Sequence, residues 1–324
     1  MNCFLEKPKM TTLKPSTTLK LSMCEEKDVP SFLSTLFSMN QSFCIDFSVS
    51  PFMIPFAILS LLIWIKTLQK HGNEIWVKNY KKCIYWQRMD FFKMVNIPIN
   101  EHFQRKPGKG RFIPITLIKE TTIQTGDFAE MFASNVAPDQ ASLDSPEQTG
   151  VYDYMCYAVS ELVNNVLQHS RGQGFCFAQK YPRENKIRLA IADNGIGIKE
   201  SLKDSPHYRD TDLGAIQKAI EPNVSGRAWK TVGTSENAGV GLSLLVEIAK
   251  ITRGDYFILS GNALCSSQGN CQFNSSIQGT VCGFTFPIES VANKIFNNSI
   301  LQDAKMKLNL LKNDDEKIFS EVFQ

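Results

Sequence analysis

At 324 residues, with 43% hydrophobic and 21% charged side chains, the chain is long enough for two domains and for cores that need no disulfide staples. Its 35 basic and 32 acidic residues leave a net charge of +3, too near neutral to imply a nucleic-acid partner. The 9 dispersed cysteines form no Cys-x-x-Cys pair and there are only 4 histidines, which argues against a disulfide framework or a zinc site and for reduced thiols in the cytoplasm.

Residues 1–10 are expected to be disordered, and they hold lysines but no continuous apolar stretch of the signal-peptide kind. Leu13 to Ser22 predicts a strand, Val29 to Met39 a helix opened by Asp28 and Pro30, and Phe43 to Ser48 a second strand. From Pro51 to Ile65 only Ser60 interrupts an apolar run that is short of the roughly 20 residues a membrane span needs. Pro51 and Pro55 suit a helix entry, so 51–68 is read as a buried core helix with no stable membrane insertion. Glu74 to Val77 predicts a third strand, Tyr85 to Val95 a helix, and Arg111 to Lys119 a last strand, after a basic stretch from Arg105 to Arg111 read as a solvated loop. This alternation predicts a small α/β layer domain over 11–124. Ala137 to Gly150, rich in Asp, Ser, Pro and Gln, reads as an interdomain loop.

Three motifs follow in order. In ELVNNVLQHS (161–170), Glu161 and Asn165 stand one helical turn apart on one face. A carboxylate and an amide so placed can activate a water or hydroxyl and hold a divalent cation through oxygen. In IADNGIGI (191–198), Asp193 ends the run Ile187 to Ala192, apolar except for Arg188, and precedes Gly195 and Gly197. Such a turn lets a flat ligand approach the backbone closely. In NAGVGLSLL (237–245), Gly239 and Gly241 open onto Leu242 and an apolar helix, whose N-terminal N–H groups and dipole suit phosphate.

Together these motifs resemble the GHKL superfamily of gyrase, ATP-driven heat-shock chaperones, histidine kinases and MutL, closest to the anti-sigma-factor serine kinases. The resemblance covers about 125–290 and implies an α/β sandwich, a helical layer on a mixed sheet, that binds ATP and magnesium. It implies that Glu161 is the general base and Asn165 the magnesium ligand. Asp193, with Gly195 and Gly197, would receive the adenine amino group, Gly239, Gly241 and Leu242 would close over the phosphates, and Gly279 and Thr280 would help to seat adenine. The roles of Asn164 and His169 inside the first motif stay open, with helix packing as good a reading.

The region before these motifs resembles the STAS-like domains found with anti-sigma kinases, on the run IDFS at 45–48, the apolar helix, the strand led by Gly72 and the aromatic helix. Where regulated members of that family carry a phosphorylatable Asp-Ser-Ser-Gly stretch, this chain has Ile54, Pro55, Phe56 and Ala57. The departure implies a docking or structural module. The polar stretch 199–238 is long for a loop and reads as a mobile ATP lid with a helix over Leu213 to Ile220; Arg209, Arg227 and Lys230 could reach a γ-phosphate from there, with solvated lid charges the preferred reading of each. Cys265 and Cys271 are placed in a polar loop, and 291–324 reads as an amphipathic tail helix that packs on the ATPase domain or pairs with another chain.

The expected function is an ATP-binding regulator, either a Mg-dependent ATPase or a serine/threonine kinase acting on a regulatory partner protein, for which a STAS-like protein is one candidate; a homodimer is compatible with this. The alternative is a non-catalytic, nucleotide-gated binding module. A histidine kinase would require His102 as phosphoacceptor, but HFQRKP lies among Pro98, Pro107 and two glycines and reads as loop. A gyrase-like clamp needs a transducer domain, and fewer than forty residues follow Pro287.

Overall fold

The computed structural model describes residues 17–49, 51–106, 108, 110–118, 129–130, 133–134, 159–224, 240–288, 290, 304 and 306–308. Three short runs of strand-forming residues, Thr18–Lys20 (β1), Phe43–Asp46 (β2) and Ile75–Lys78 (β3), pair in parallel in the order β1-β2-β3. Parallel neighbours need crossovers, and the helices Val29–Ser38 (α1) and Pro55–Lys70 (α2) supply them. Each has proline in its first turn, where a missing N–H leaves no hydrogen bond unmade. The single helix expected over Tyr85 to Val95 is instead two, Ile84–Arg88 (α3) and Phe91–Met94 (α4), because Asp90 takes φ 60° between them.

A second sheet has the strand order β4-β5-β6-β10-β7-β8-β9. Its members are Phe112–Ile118 (β4), Gly174–Tyr181 (β5), Lys186–Asp193 (β6), Asp255–Ser260 (β7), Ala263–Ser266 (β8), Gly269–Gln272 (β9) and Thr280–Pro287 (β10). Every pairing is antiparallel, so the mixed sheet expected here is corrected. The strand expected to complete the N-terminal layer is also corrected: β4 pairs with β5, from Phe112 opposite Gln179 to Ile118 opposite Gly174, and forms the edge of the large sheet. Cys265 and Cys271 lie on the β8–β9 hairpin, not in a loop. Cys271 is opposite Leu264 and Cys265 opposite Asn270, which puts the two thiols on opposite faces.

Strand alternation divides the two cores. On β6, Ile187, Leu189 and Ile191 join a cluster with the helices 159–165 (α5) and Gly241–Ile251 (α8), whereas Ala190 and Ala192 join a cluster with α1 and α2. Two further helices, Gly197–Ser201 (α6) and Asp212–Ala219 (α7), follow β6. The second cluster explains the apolar run. Of the 16 residues of α2 only Lys66, Gln69 and Lys70 escape burial, because the helix packs against β5, β6 and β10 as well as α1 and α4. A helix apolar on all sides must be covered on all sides. No helix among the described residues is long and apolar enough to cross a membrane.

Arg188, the exception in the apolar strand, faces the same side as Ala190. It meets Glu26, 162 residues away in sequence, through Nε at 2.7 Å and Nη2 at 3.0 Å, and Thr285 Oγ1 donates to the same carboxylate at 3.0 Å. Glu184 completes the pairing at 2.7 Å and the guanidinium lies 4.4 Å from the Tyr181 ring centre. Burial alone would raise the Glu26 carboxyl, but the Arg188 hydrogen bonds and charge hold it down at about 2. Glu26→Ala is therefore expected to cost about 3 kcal/mol in urea unfolding, because it strips a buried cation of its main partner. Glu26→Leu with Arg188→Met should recover most of that loss. The folded value lies below the ordinary 4.5, so the Glu26 contribution is present above pH 4.5 and is lost as the pH falls toward 2.

The expected disordered N-terminus and the loop 137–150 lie outside the described residues, as does most of the tail. Within the tail, Ala304 is buried in the cluster around α8 and Lys307 Nζ lies 3.3 Å from Glu247.

Candidate functional site

The helical face of the large sheet carries a cavity where β6 ends and β10 begins. Asp193 and Thr280 are register partners there, so the second and the last motif are neighbours in space although 87 positions apart. Asp193 is 6% exposed. Burial pushes its carboxyl up to about 7, against the opposing pull of backbone hydrogen bonds with Gly195 and Thr280; the Gly195 N–H donates at 2.8 Å. An acceptor buried so deeply, with no cation beside it among the described residues, suits a neutral donor such as an amino group.

The turn after Asp193 is held by the end of the first motif. Helix α5 runs into a π-helical turn, Val166–Ser170, whose widened backbone brings His169 and Ser170 to the cavity. Ser170 O accepts from Ile196 N at 2.8 Å, and a Cβ on Gly195 would sit 1.8 Å from that oxygen, so only glycine fits. Asn165, Asp193, Gly197, Gly241, Leu242 and Thr280 line one cavity, floored by Ile191 and Cys282. Glu161 does not line it. This residue is half-buried one turn before Asn165, against the first residue of α8, where a Cβ on Gly241 would come within 2.3 Å of its own Cβ. Burial pushes the Glu161 carboxyl up.

Residues 150–290 match the family described as Histidine kinase-, DNA gyrase B-, and HSP90-like ATPase. This segment is a GHKL ATPase domain. Domains of this kind bind ATP with magnesium. A comparison with curated proteins gives no match. Among solved structures the chain is similar to the histidine kinase domain from Erythrobacter litoralis EL346 blue-light activated histidine kinase, at 15% identity and a TM-score of 0.25, with 84% of this chain and 98% of that one covered.

Within the GHKL domain, Gly239, Arg227 and Lys230 lie outside the described residues. Arg209 does not reach the cavity; it is exposed and donates to the carbonyls of Tyr208 at 2.7 Å and His207 at 3.4 Å. The stretch expected to be a lid begins with packed structure. Helix α7 is capped by Thr211, which accepts from Gly214 N at 3.0 Å, and buries Ala215 and Ile216, while Asp212 Oδ2 accepts from Asn262 N at 3.0 Å.

Sequence reasoning missed Ser260, the last residue of β7. Its hydroxyl donates to Gly279 O at 3.1 Å, accepts from Ile198 N at 2.9 Å and lies 3.2 Å from Thr280 Oγ1. With its single proton given to Gly279, Ser260 must receive that of Thr280, which leaves the Thr280 oxygen to face the cavity as an acceptor. No motif marks this serine; the only trace is its place at the end of an apolar strand before Gly261 and Asn262. Ser260→Ala is expected to weaken nucleotide binding several-fold in calorimetric titration and to cost about 1–2 kcal/mol of stability.

Proposed function

We propose that the chain is an ATP-dependent regulator whose GHKL domain transfers or hydrolyses the terminal phosphoryl group, acting as an anti-sigma-kinase-like serine/threonine kinase or an ATPase, with the N-terminal module as a STAS-like docking element. The observation that carries this reading is the convergence of Asn165, Asp193, Gly241, Leu242 and Thr280 on one cavity, with the half-buried Glu161 at the start of α8. Asp193 would accept from the adenine amino group, and the first turn of α8 would present N–H groups to phosphate. The Asn165 amide oxygen suits magnesium, which supplies neutralising charge at the phosphates when bound. Glu161, its basicity raised by burial, would take the proton of an attacking water or partner hydroxyl.

Ile54, Pro55, Phe56 and Ala57 are buried, which favours docking over an internal phosphoswitch in the N-terminal module. His102 lies in an irregular segment, 101–106, with no helix to present it, which disfavours the histidine-kinase reading. The second reading, a nucleotide-gated binding module, is favoured by the bond from Gln278 N to Thr67 Oγ1 at 3.0 Å, which ties α2 to the adenine wall.

Incubation with ATP labelled at the γ-phosphate, with and without proteins encoded beside this one, tests the proposal. Label on a partner supports the kinase, free phosphate alone supports the ATPase, and neither leaves the gated module. Asn165→Ala is expected to lose the magnesium-dependent part of ATP binding while magnesium-free ADP binding stays nearly intact. Equal losses with and without metal would make Asn165 a packing residue.

A further inference from the structure

Behind the adenine wall lies a second cleft, of about 260 Å³, lined by Lys66, Thr67, Gln69 and Lys70 of α2 and by Asn194 and Gln278. Among the described residues no carboxylate lines it. Lys66 and Lys70 stand one turn apart on the same helix face. Neither forms an ion pair with a carboxylate among the described residues. A lysine in the last turn of a helix commonly complements the dipole, which accounts for Lys70, the final residue of α2. Lys66 needs another account. It is held a turn deeper, half-buried, with its ammonium 5.1 Å from the Phe175 ring centre, and burial lowers its pKa. Amides share the lining with the two cations: Asn194 Oδ1 accepts from Gln173 N at 2.7 Å, which leaves the Asn194 NH2 as the donor end, and Gln69 on α2 and Gln278 contribute further amides.

We propose that this cleft binds a small phosphate-class oxyanion, separate from the nucleotide, between α2 and the two loops of the adenine wall. Two cations sharing one lining with amide donors, and with no acid among the described lining residues, form a charge-assisted seat for such an ion. The position gives it a consequence. Asn194 follows Asp193 directly, Gln278 precedes Gly279 and Thr280, and the Gln278 N–H is already bonded to Thr67. An anion there bridges the N-terminal module to both strand ends that form the nucleotide site, and any factor by which it changes nucleotide affinity is the factor by which the nucleotide changes its own.

The test is calorimetric titration of the full chain, saturated with a non-hydrolysable ATP analogue to fill the first site, with inorganic phosphate in one arm and glycerol 3-phosphate in the other at constant ionic strength. Saturable binding is expected in at least one arm, and the tighter arm tells a free ion from a phosphate ester. Lys66→Gln with Lys70→Gln should weaken it about tenfold or more, whereas Lys20→Gln, on the exposed end of β1, should not. Lys66→Met keeps an unbranched apolar side chain of similar length without the ammonium and should give the same direction of loss in a chain whose packing is retained. Absence of saturable binding in both arms, or equal binding by the double variant and the parent, overturns the proposal. Repeating the titration without the analogue separates its failure from failure of the nucleotide reading, because Lys66 and Lys70 lie outside the first cavity.

Discussion

Asp193→Asn is expected to cut nucleotide affinity at least about tenfold, while making the nucleotide-free protein more stable at neutral and alkaline pH. The two effects share one cause. Burial without a positive partner raises the carboxyl from 3.8 to about 7, so the folded chain resists ionisation that the unfolded chain accepts freely. A raised folded value means that the stability associated with this group is fully present below pH 3.8 and is lost as the pH rises through about 7. Asparagine cannot ionise and keeps an oxygen for the Gly195 N–H. The variant should therefore match the parent in acid and exceed it above pH 7, by up to about 4 kcal/mol. Thermal unfolding of both proteins across that range measures the crossover; a constant difference between them at every pH would refute the buried-carboxylate argument.

Nucleotide binding runs the other way. An adenine amino group donates best to the ionised carboxylate, so binding should release a proton, and parental affinity should fall as the pH drops below about 7. Asparagine presents an amide that can turn a donor toward that amino group, which removes both the affinity and its pH dependence. Titration calorimetry in buffers of different ionisation enthalpy counts the proton directly. Unchanged affinity in a folded Asp193→Asn protein would withdraw the adenine assignment.

Glu161→Ala is expected to bind Mg·ATP within a few-fold of the parent and to lower phosphoryl transfer by about a hundredfold. The separation of binding from turnover follows from position: Glu161 lies outside the cavity lining and beside the start of α8, so its loss removes no adenine contact. Because alanine also empties space against Gly241, Glu161→Gln serves as the companion variant that keeps the packing and removes only the basicity. Single-turnover rates with labelled ATP and titrations with the analogue would be compared for all three proteins. If the parent itself shows only background turnover, equal to both variants, yet ATP still protects the chain from protease, the gated binding module becomes the better description.

Much of the site was legible because its determinants are local. Glu161 and Asn165 are one helical turn apart whatever the rest of the chain does, the run ending at Asp193 is a strand by composition, and the glycines around it follow from backbone sterics. The helices α1 and α2 and the strand β2 were readable from the same short-range periodicities. The strand ending at Asp193 and the glycines at 195, 197 and 241 carry such local signals, whereas Leu242 and Thr280 follow only from the resemblance of the motifs to the GHKL superfamily.

What tertiary structure alone decided depends on partners distant in sequence. Local pattern marked β4 as a strand but could not say which sheet it joins, since edge pairing with β5 is chosen by register and packing over the whole sheet. Arg188 looked like a flaw in an apolar strand until Glu26 arrived from the N-terminal module to pair with it. Ser260 carries no motif, and becomes a clamp only because β7 and β10 place its hydroxyl between Gly279 and Ile198. The burial of α2 on every side follows the same rule. Its sequence required a cover, and only the placement of one sheet against another layer could supply it.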